Sequence, residues 1–266
     1  MRQRTEKTLL STISIRGPLK NEYAPAIHSL LNGDLPKEWE WVKSSSNTIV
    51  ARRLKPSVAY YKEFLNRSLF EGLKSLIRAS RCDRARLQGE ILRKKGFRSP
   101  EILCWGQHGY RHFMVTEGVD ATSLGHFISK HWGPPLSREQ FRAKREFIEK
   151  LGEEIGRLHK EGICHGDLRL NNILVQQTEM GINFYFIDNE RNRCFTKIPK
   201  RLIKKNLVQV NMIDPSYVTL QDRLRFFMAY SKIYTRFTCQ EKRVLVQKVH
   251  KRTVWRLADK AARRNN

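Results

Sequence analysis

The chain has 266 residues, of which 40% are hydrophobic and 29% are charged, which allows one large domain or two lobes with a real core. Lysine and arginine number 51 against 26 acidic residues, and the net charge of +25 favours polyanionic ligands such as nucleic acid, an anionic membrane surface or phosphorylated molecules. The five scattered cysteines lack a C-x-x-C pair and support neither a disulfide framework nor a zinc site, and no apolar run reaches the roughly 18 to 20 residues of a membrane span.

The N-terminal stretch MRQRTEKTLLSTISIRG begins with basic residues but holds only a short, interrupted apolar patch, which is not typical of a secretory signal. With its scattered cysteines, the chain is predicted to be cytoplasmic and to keep reduced thiols, and any membrane contact is predicted to be peripheral. Residues 1–38 are predicted to form an N-terminal extension, with a turn near Gly33 and Pro36.

Residues 39–64 carry the pattern of short strands. The stretch WEWVKSSSNTIVARRL, residues 39–54, predicts two strands joined by a polar turn. The stretch VAYYKEF predicts a third strand with Lys62 near its centre.

A basic helix is predicted over roughly residues 67–95, because Gly96 followed by Pro100 is typical of a helix end. EILCW and HFMVTEG then predict two further strands. Residues 39–118 therefore have the content of a small, β-rich N-lobe.

From Ser137 the pattern becomes helical. SREQ matches a capping box, and apolar residues follow at helical spacing over residues 147–158. NILV and NFYFID predict two short strands flanking a turn, and the sequence after residue 199 is mostly helical and very basic. Residues 119–266 are therefore predicted to form a larger, mostly helical C-lobe that ends in a basic helix. The expected fold class is α+β with two lobes.

Three polar residues stand out in the stretches HGDLRLNNILV and FYFID. Asp167 follows a predicted helix, Asn172 precedes a strand and Asp188 ends the next strand, so a hairpin would bring Asn172 and Asp188 to the same end. Carboxylate and amide oxygens suit a hard divalent cation, and a further carboxylate can orient a hydroxyl or take its proton. The pattern indicates phosphoryl transfer, with Arg169 close enough to reach the transferred phosphate and Lys62 available to hold the phosphates.

The segments HGDL, NIL and ID around these residues resemble the catalytic loop and metal-binding Asp of the protein-kinase-like superfamily. Gly166, where protein kinases carry Arg, resembles the small-molecule branch of that superfamily. Within that branch, residues 45–235 are similar to the bacterial lipopolysaccharide kinases, the Kdo and core-heptose kinase family. The stretches that carry this resemblance are YYKEFLNRSLFEGLKSLIRASR, KKGFRSPEILCWG, VTEGV, IPKRLIKKNLVQV and VTLQDRLRFFMAY.

This resemblance implies a two-lobed, protein-kinase-like fold and ATP- and Mg²⁺-dependent phosphorylation of a sugar hydroxyl. The acceptor would be Kdo or heptose in the inner core of lipopolysaccharide, at the cytoplasmic face of the bacterial inner membrane. The resemblance makes Asp167 the catalytic residue, with Arg169 beside it, and assigns metal binding to Asn172 and Asp188. Lys62 would contact the ATP phosphates.

Further nucleotide contacts follow from the same resemblance. Residues Glu117 to Val119 would meet the adenine through backbone groups. Ser45 and Ser46, in the stretch SSSNT, would stand where related kinases have a glycine-rich turn over the phosphates. This turn has no glycine, and serine amides would have to take over that contact.

The chain departs from the family pattern at two other places. A gapless comparison puts Ala85 where a glutamate should pair with Lys62, and Glu90 on the same predicted helix is the substitute. After Asp188 the sequence reads Asn-Glu-Arg, and no A-P-E follows, which argues against a regulated protein kinase. His165 is expected to brace the loop and to take no part in acid–base chemistry.

Other functions stay open at this point. A phosphotransferase of the aminoglycoside or choline type fits the HGD loop equally well, but its acceptor pocket is usually acidic, whereas the second half of this chain is basic. A catalytically weak kinase-like binding protein is also compatible with the missing glycines. A nucleic-acid-binding module is disfavoured because neither base-stacking aromatics on a sheet nor a recognition helix is evident.

The C-terminal stretch EKRVLVQKVHKRTVWRLADKAARR contains nine lysines and arginines. Either it forms a solvated basic helix packed by its apolar face, or it forms an interfacial helix on anionic lipid. The family resemblance implies a lipopolysaccharide inner-core glycolipid as a partner, and the basic helix adds an anionic membrane surface as the second expected partner. The sequence leaves the oligomeric state open.

Overall fold

A six-stranded antiparallel sheet organises the first part of the chain in the computed structural model, which describes residues 13–65 and 79–265. Its strands are β1 (Ser14–Arg16), β2 (Trp39–Val42), β3 (Thr48–Arg53), β4 (Ala59–Phe64), β5 (Ile102–His108) and β6 (Arg111–Glu117). Their order in the sheet is β1-β5-β6-β4-β3-β2. The strands predicted within residues 39–118 are therefore confirmed.

The described residues divide into two units. The first takes the residues up to Leu87 together with Pro100–Val119, and the second takes Gln88–Ser99 and the chain from Asp120 onward. The first unit is built on the six-stranded sheet, and the second is mostly helical. This separation of a β-rich unit from a mostly helical unit confirms the predicted α+β class.

Helix α1 (Lys20–Asn32) and β1 lie within the stretch interpreted from the sequence as an extension, and both belong to the first unit. The helix buries Tyr23, Ile27 and Leu30 in the same apolar cluster as Tyr61 of the sheet. Their spacing of four and three residues is that of one helical face. Arg53 ties the helix to β3 through a 2.7 Å ion pair with Glu22. The described part of the predicted extension is therefore core structure.

Helix α2 (Arg81–Lys94) begins later than the sequence predicted. Ser80 caps its N-terminus, because its Oγ accepts a hydrogen bond from the Asp83 N–H at 3.0 Å. The predicted start near residue 67 falls within residues 66–78, which lie outside the described residues. The predicted stop is confirmed, because Gly96 follows the helix with a φ of 77°.

The second unit contains five further helices among its described residues. They are α3 (Leu124–His131), α4 (Arg138–Lys160), α5 (Lys200–Val210), α6 (Leu220–Ile233) and α7 (Cys239–Asn265). A capping box formed by Ser137 and Gln140 starts α4, as predicted, and Thr219 and Asp222 form another at the start of α6. None of the described helices is long and apolar enough to cross a membrane.

Short strands complete the second unit. They are β7 (Thr122–Ser123), β8 (Ile163–Cys164), β9 (Ile173–Thr178), β10 (Gly181–Phe186) and β11 (Arg193–Cys194). Strands β9 and β10 form the predicted hairpin, in which Ile173 is opposite Phe186. Strands β8 and β11 pair at Cys164 and Arg193. The two pairings fix both ends of the loop between β8 and β9.

Helices α4 and α6 approach closely because Gly152 faces Phe226. A Cβ atom placed on Gly152 would lie 2.4 Å from the Phe226 carbonyl oxygen. We expect Gly152→Ala to lower the free energy of unfolding by about 1–3 kcal/mol, because the obstructing atom belongs to the α6 backbone. Urea denaturation measures this change. Arg145→Ala, at an exposed position of α4, is the control and should stay within ~0.5 kcal/mol of the wild type. A more stable Gly152→Ala variant would contradict the close approach.

Candidate active site

His165 begins the loop between β8 and β9 and is fully buried. The Asp167 backbone N–H donates to its Nδ1 at 3.1 Å, so its Nε2 carries the proton and donates to the Ile187 carbonyl at 3.2 Å. Burial lowers the pKa of His165 to about 4, which keeps the ring neutral at physiological pH. This neutral ring joins the loop to the end of β10, which agrees with the predicted bracing role.

The Asp167 carboxylate is held from two directions. The Gln209 side chain donates to Oδ1 at 2.7 Å. The Arg169 Nε donates to Oδ1 at 2.9 Å and to Oδ2 at 2.8 Å, and a terminal guanidinium nitrogen forms a further ion pair with Oδ2. The hydrogen bond to Asp167, followed by the charges of Asp167 and Asp188, raises the pKa of Arg169 against the effect of burial. Arg169 is therefore a fixed cation beside both carboxylates.

Asn172 immediately precedes β9, and Asp188 follows the end of β10 by two residues. The Asn172 Nδ2 donates to the Asp167 carbonyl at 2.9 Å, and the Asn172 carbonyl accepts from the Ile187 N–H at 3.1 Å. Because the amide nitrogen is engaged with the loop, the amide oxygen is the atom suited to a cation. Asp188 has a φ of 61° and a ψ of 44°, a left-handed conformation that is uncommon for a residue other than glycine. These contacts place Asp167, Arg169 and Asn172 in one loop and bring the residue before Asp188 to the end of that loop, and the roles assigned to the four residues stay a prediction.

Gly166 allows the loop to approach the short 3₁₀ helix Asn189–Arg191. A Cβ atom on Gly166 would lie 2.2 Å from the Arg191 Cβ and 2.5 Å from its backbone carbonyl. The Gly166 N–H donates to Asn192 Oδ1 at 3.0 Å, and the Lys205 Nζ donates to the Gly166 carbonyl at 2.7 Å. The glycine of the HGD stretch is thus required by the contact that follows Asp188.

Buried amides hold the turn after Asp188. Asn192 Nδ2 donates to Asn189 Oδ1 at 2.9 Å, and Asn189 Nδ2 donates to Ser99 Oγ and to the Phe186 carbonyl, each at 3.0 Å. Sequence reasoning missed these residues and also Gln209. Their partners are distant along the chain, so spacing alone gives no signal. One signal is present in the sequence: amides such as Gln209 occur on an otherwise apolar helix face, and a buried amide requires hydrogen-bond partners.

Two buried histidines, His159 and His165, make the stability of the protein depend on pH. Burial lowers the pKa of each to about 4, whereas the ordinary value is about 6.5. The unfolded chain binds more protons between these values, so the stabilising contribution is complete above about pH 6.5 and is lost as the pH falls toward 4. We expect each histidine to account for on the order of 3 kcal/mol over this window, as measured by urea unfolding at a series of pH values.

The matched variants are His159→Gln and His126→Gln. His159→Gln should reduce the pH dependence of the free energy of unfolding by about one proton, which is ~1.4 kcal/mol per pH unit. His126→Gln changes an exposed histidine and should leave this dependence as it is in the wild type. Equal pH dependence in the wild type and His159→Gln would contradict the assignment of this loss to buried histidines.

The predicted nucleotide-binding residues of the first unit lie on neighbouring strands and turns. Lys62 is on β4, opposite Val50 of β3 and Met114 of β6. Ser45 and Ser46 lie in the turn between β2 and β3. This turn is closed by the Thr48 N–H, which donates to the Ser45 carbonyl at 3.1 Å.

Glu117 ends β6, and both its backbone and its side chain contact Glu101. Its N–H donates to the Glu101 carbonyl at 2.9 Å, and its Oε1 accepts from the Glu101 N–H at 2.9 Å. Val119 is half-buried two residues later. Glu90 lies in the part of α2 that belongs to the second unit, and its pairing with Lys62 stays a prediction.

The donor set around Asn172 and Asp188 consists of hard oxygen atoms. Among the described residues, no group of three or more His, Cys, Asp or Glu side chains is placed to hold a metal ion. An amide oxygen and a carboxylate, adjacent at the ends of paired strands, fit a Mg²⁺ ion that keeps several of its waters. The residues present are therefore compatible with the metal that phosphoryl transfer uses.

Comparison with known proteins gives four similarities, of which three rest on sequence. A family model described as the lipopolysaccharide kinase (Kdo/WaaP) family matches residues 65–230, which is more than half of the chain. A 3-deoxy-D-manno-octulosonic acid kinase of Pasteurella multocida (strain Pm70) is 40% identical over 87 residues, which are 33% of this chain and 34% of that protein. A probable bifunctional tRNA threonylcarbamoyladenosine biosynthesis protein of Thermoplasma acidophilum is 34% identical over 64 residues, which are 24% of this chain and 12% of that protein. These matches thus span about a third or less of each relative.

A solved structure described as WaaP in complex with acyl carrier protein superposes with a TM-score of 0.57 and 18% sequence identity. The match covers 85% of this chain and 95% of that one. At this identity the similarity shows the fold. The predicted two-lobed, protein-kinase-like α+β class is confirmed.

Proposed function

The chain belongs to the lipopolysaccharide kinase (Kdo/WaaP) family, and we propose that it transfers the γ-phosphoryl group of ATP to a sugar hydroxyl of the lipopolysaccharide inner core, on Kdo or heptose. The observation that carries this proposal is the grouping of Asp167, Asn172 and Asp188 around one loop, with Arg169 bound to the Asp167 carboxylate. A partial similarity to a Kdo kinase supports the choice of acceptor.

Asp167 is the group proposed to act on the acceptor. Its carboxylate orients the sugar hydroxyl and takes the hydroxyl proton while the new O–P bond forms and the bond from the γ-phosphorus to ADP breaks. A positioned base of this kind contributes about 10² to 10⁴ in rate. Arg169 lies within hydrogen-bonding distance of this carboxylate, and its guanidinium can extend to the equatorial oxygens of the transferred group.

Asn172 and Asp188 are the proposed metal ligands. Asn172 offers its amide oxygen and Asp188 its carboxylate, and the backbone bond from Ile187 to Asn172 keeps the two side chains at one end of the hairpin. Bound Mg²⁺ supplies neutralisation of the charge that develops on the phosphate oxygens. The neutral His165 brace adds no charge of its own to this site.

The remaining nucleotide contacts are proposed from the family resemblance. Lys62, paired with Glu90, contacts the ATP phosphates, and the backbone of Ser45 and Ser46 covers them. The backbone from Glu117 to Val119 binds the adenine.

The charge distribution supports an anionic acceptor rather than a cationic one. Two basic residues lie close to the proposed catalytic loop. The Lys205 ammonium group donates to the Gly166 carbonyl, and Arg193 of β11 is opposite Cys164 of β8, the residue before the loop. Kdo carries a carboxylate, whereas aminoglycosides are cations. Helix α7 is strongly basic and has Val254 and Trp255 exposed, which supports peripheral contact with the anionic cytoplasmic face of the inner membrane.

The test is transfer of radiolabelled phosphate from ATP by the purified chain, with magnesium, to three acceptors in parallel. These are a Kdo-bearing lipid A precursor, a heptose-extended inner core and an aminoglycoside. We expect label on one of the two glycolipids, loss of transfer when magnesium is chelated, and loss of transfer in Asp188→Asn. Transfer to the aminoglycoside alone would replace the proposed acceptor, and no transfer to any acceptor would overturn the proposal.

A further inference from the structure

Gln209 makes the closest hydrogen bond to the Asp167 carboxylate from outside the catalytic loop. It lies on α5, is only 6% exposed, and donates from Nε2 to Oδ1 at 2.7 Å. Its Oε1 accepts from the Leu168 backbone N–H at 3.2 Å. A backbone N–H can only donate, so the amide oxygen must face Leu168 and the amide nitrogen must face Asp167.

The neighbouring amide, Asn206, is also fixed in one orientation. Its Nδ2 donates to the His165 carbonyl at 2.7 Å and lies 3.2 Å from Gln209 Oε1. A carbonyl oxygen can only accept, so the Asn206 Oδ1 must face the opposite way, toward His159 Nε2 at 3.2 Å. Asn206 thus joins the backbone of the loop to the residue that holds Asp167.

The same argument continues to helix α6. Because Asn206 presents an oxygen, His159 Nε2 carries the proton, and its Nδ1 accepts from the Tyr230 hydroxyl at 2.9 Å. Burial lowers the pKa of His159 to about 4 and raises the pKa of Tyr230, so neither group changes its protonation state near neutral pH. Each side chain from Tyr230 onward therefore donates to the next one toward Asp167. The Leu168 N–H and the His165 carbonyl determine the orientations of the Gln209 and Asn206 amides.

We propose that Gln209 is a positioning residue for Asp167, and that the buried chain Tyr230–His159–Asn206 keeps the Gln209 amide in the orientation that donates to the carboxylate. The inference rests on the proposed function, because it concerns the same carboxylate. A reversed Gln209 amide would place its oxygen against Asp167 Oδ1 and its NH₂ group against the Leu168 N–H, and both contacts repel. The Asp167 carboxylate therefore accepts this hydrogen bond from a fixed direction.

Gln209→Glu tests this role with little change of shape. The new carboxylate still accepts from Leu168 and Asn206, but its second oxygen faces Asp167. At low pH we expect a proton shared between the new carboxylate and Asp167 to replace the missing N–H. At higher pH, where both carboxylates are ionised, kcat should be about 10²-fold lower than in the wild type. The KM for ATP should change less than about threefold, because the effect is on the reacting geometry and not on nucleotide binding.

The control for added charge is Gln221→Glu, at an exposed position of α6, which should retain the wild-type pH profile. Tyr230→Phe leaves the buried His159 Nδ1 without its donor and should lower kcat about threefold to tenfold by weakening the chain that supports Gln209, and an unchanged kcat would overturn the role of the chain. A loss in Gln209→Glu that is equal at every pH would indicate a structural defect and would overturn the proposal. Wild-type activity in Gln209→Glu would overturn it as well.

A measurement without catalysis separates this proposal from the function itself. In NMR spectra of the full chain, Asp167→Ala should shift the side-chain NH₂ signals of Gln209 and leave those of Gln221 in place. If the wild type transfers no phosphate but these signals shift, the proposed function fails while the positioning contact stands. If the Gln209 signals do not respond to Asp167→Ala, the positioning role is wrong whatever the activity.

Discussion

Asp167→Asn is expected to lower kcat for phosphoryl transfer by about 10²- to 10⁴-fold. The substitution preserves size, and the asparagine Oδ1 can still accept the bond from Gln209, so the loop should keep its shape. What is lost is the ionised oxygen that takes the hydroxyl proton, together with the charge that binds Arg169. Initial rates with saturating ATP and glycolipid acceptor measure the effect.

The matched control is Asp120→Asn, which removes the same charge at an exposed position of the second unit. Its kcat should equal that of the wild type. Thermal unfolding of Asp167→Asn should also match the wild type within a few degrees, since no packing contact is removed. An Asp167→Asn variant that keeps a rate within threefold of the wild type would show that the carboxylate does not act as the base.

Gly166→Ala is expected to lower the rate of transfer by about 10²-fold and also to destabilise the second unit. The added Cβ would lie 2.2 Å from the Arg191 Cβ and 2.5 Å from its backbone carbonyl, so the catalytic loop and the turn after Asp188 must move apart. Overpacking of this kind lowers the free energy of unfolding by about 1–3 kcal/mol. A displacement of ~1 Å at the reacting groups lowers the rate about 10²-fold. Urea unfolding and initial rates measure the two effects.

Gly125→Ala is the control for a glycine in the same unit. A Cβ atom there would lie 3.4 Å from the Leu170 Cβ, an ordinary contact, and alanine favours the α3 helix by ~1 kcal/mol over glycine. We expect this variant to be as stable as the wild type or more stable, and fully active. If Gly166→Ala unfolds at the wild-type urea concentration, the close approach to Arg191 is not maintained in solution.

The loop between β8 and β9 and the β9–β10 hairpin could be predicted because their signals are local. The apolar run after Asn172 has strand periodicity, the turn near Gly181 joins two such runs, and the spacing from Asp167 to Asn172 lies within one loop. Each of these features needs only a few consecutive residues. The structure preserves them because the hairpin register places Ile173 opposite Phe186.

Contacts between distant elements could not be predicted in the same way. The hydrogen bond from Gln209 to Asp167 joins α5 to the loop between β8 and β9, and no periodicity connects these two residues. Helix α1 was different, because Tyr23, Ile27 and Leu30 already showed the spacing of a buried face. The spacing of these three apolar residues is a local signal for a helix, whereas Gly33 and Pro36 indicate only the turn that follows it.

The left-handed backbone at Asp188 has a consequence for how this position can vary. Among residues with a Cβ atom, asparagine and aspartate tolerate this conformation best, because their short side chains can bond locally. An exchange of Asp188 for asparagine therefore replaces one oxygen with nitrogen and leaves the chain path alone, whereas a β-branched residue would force the turn itself to refold. Asp188→Asn therefore changes the atom offered to a ligand while it preserves the backbone conformation of the turn.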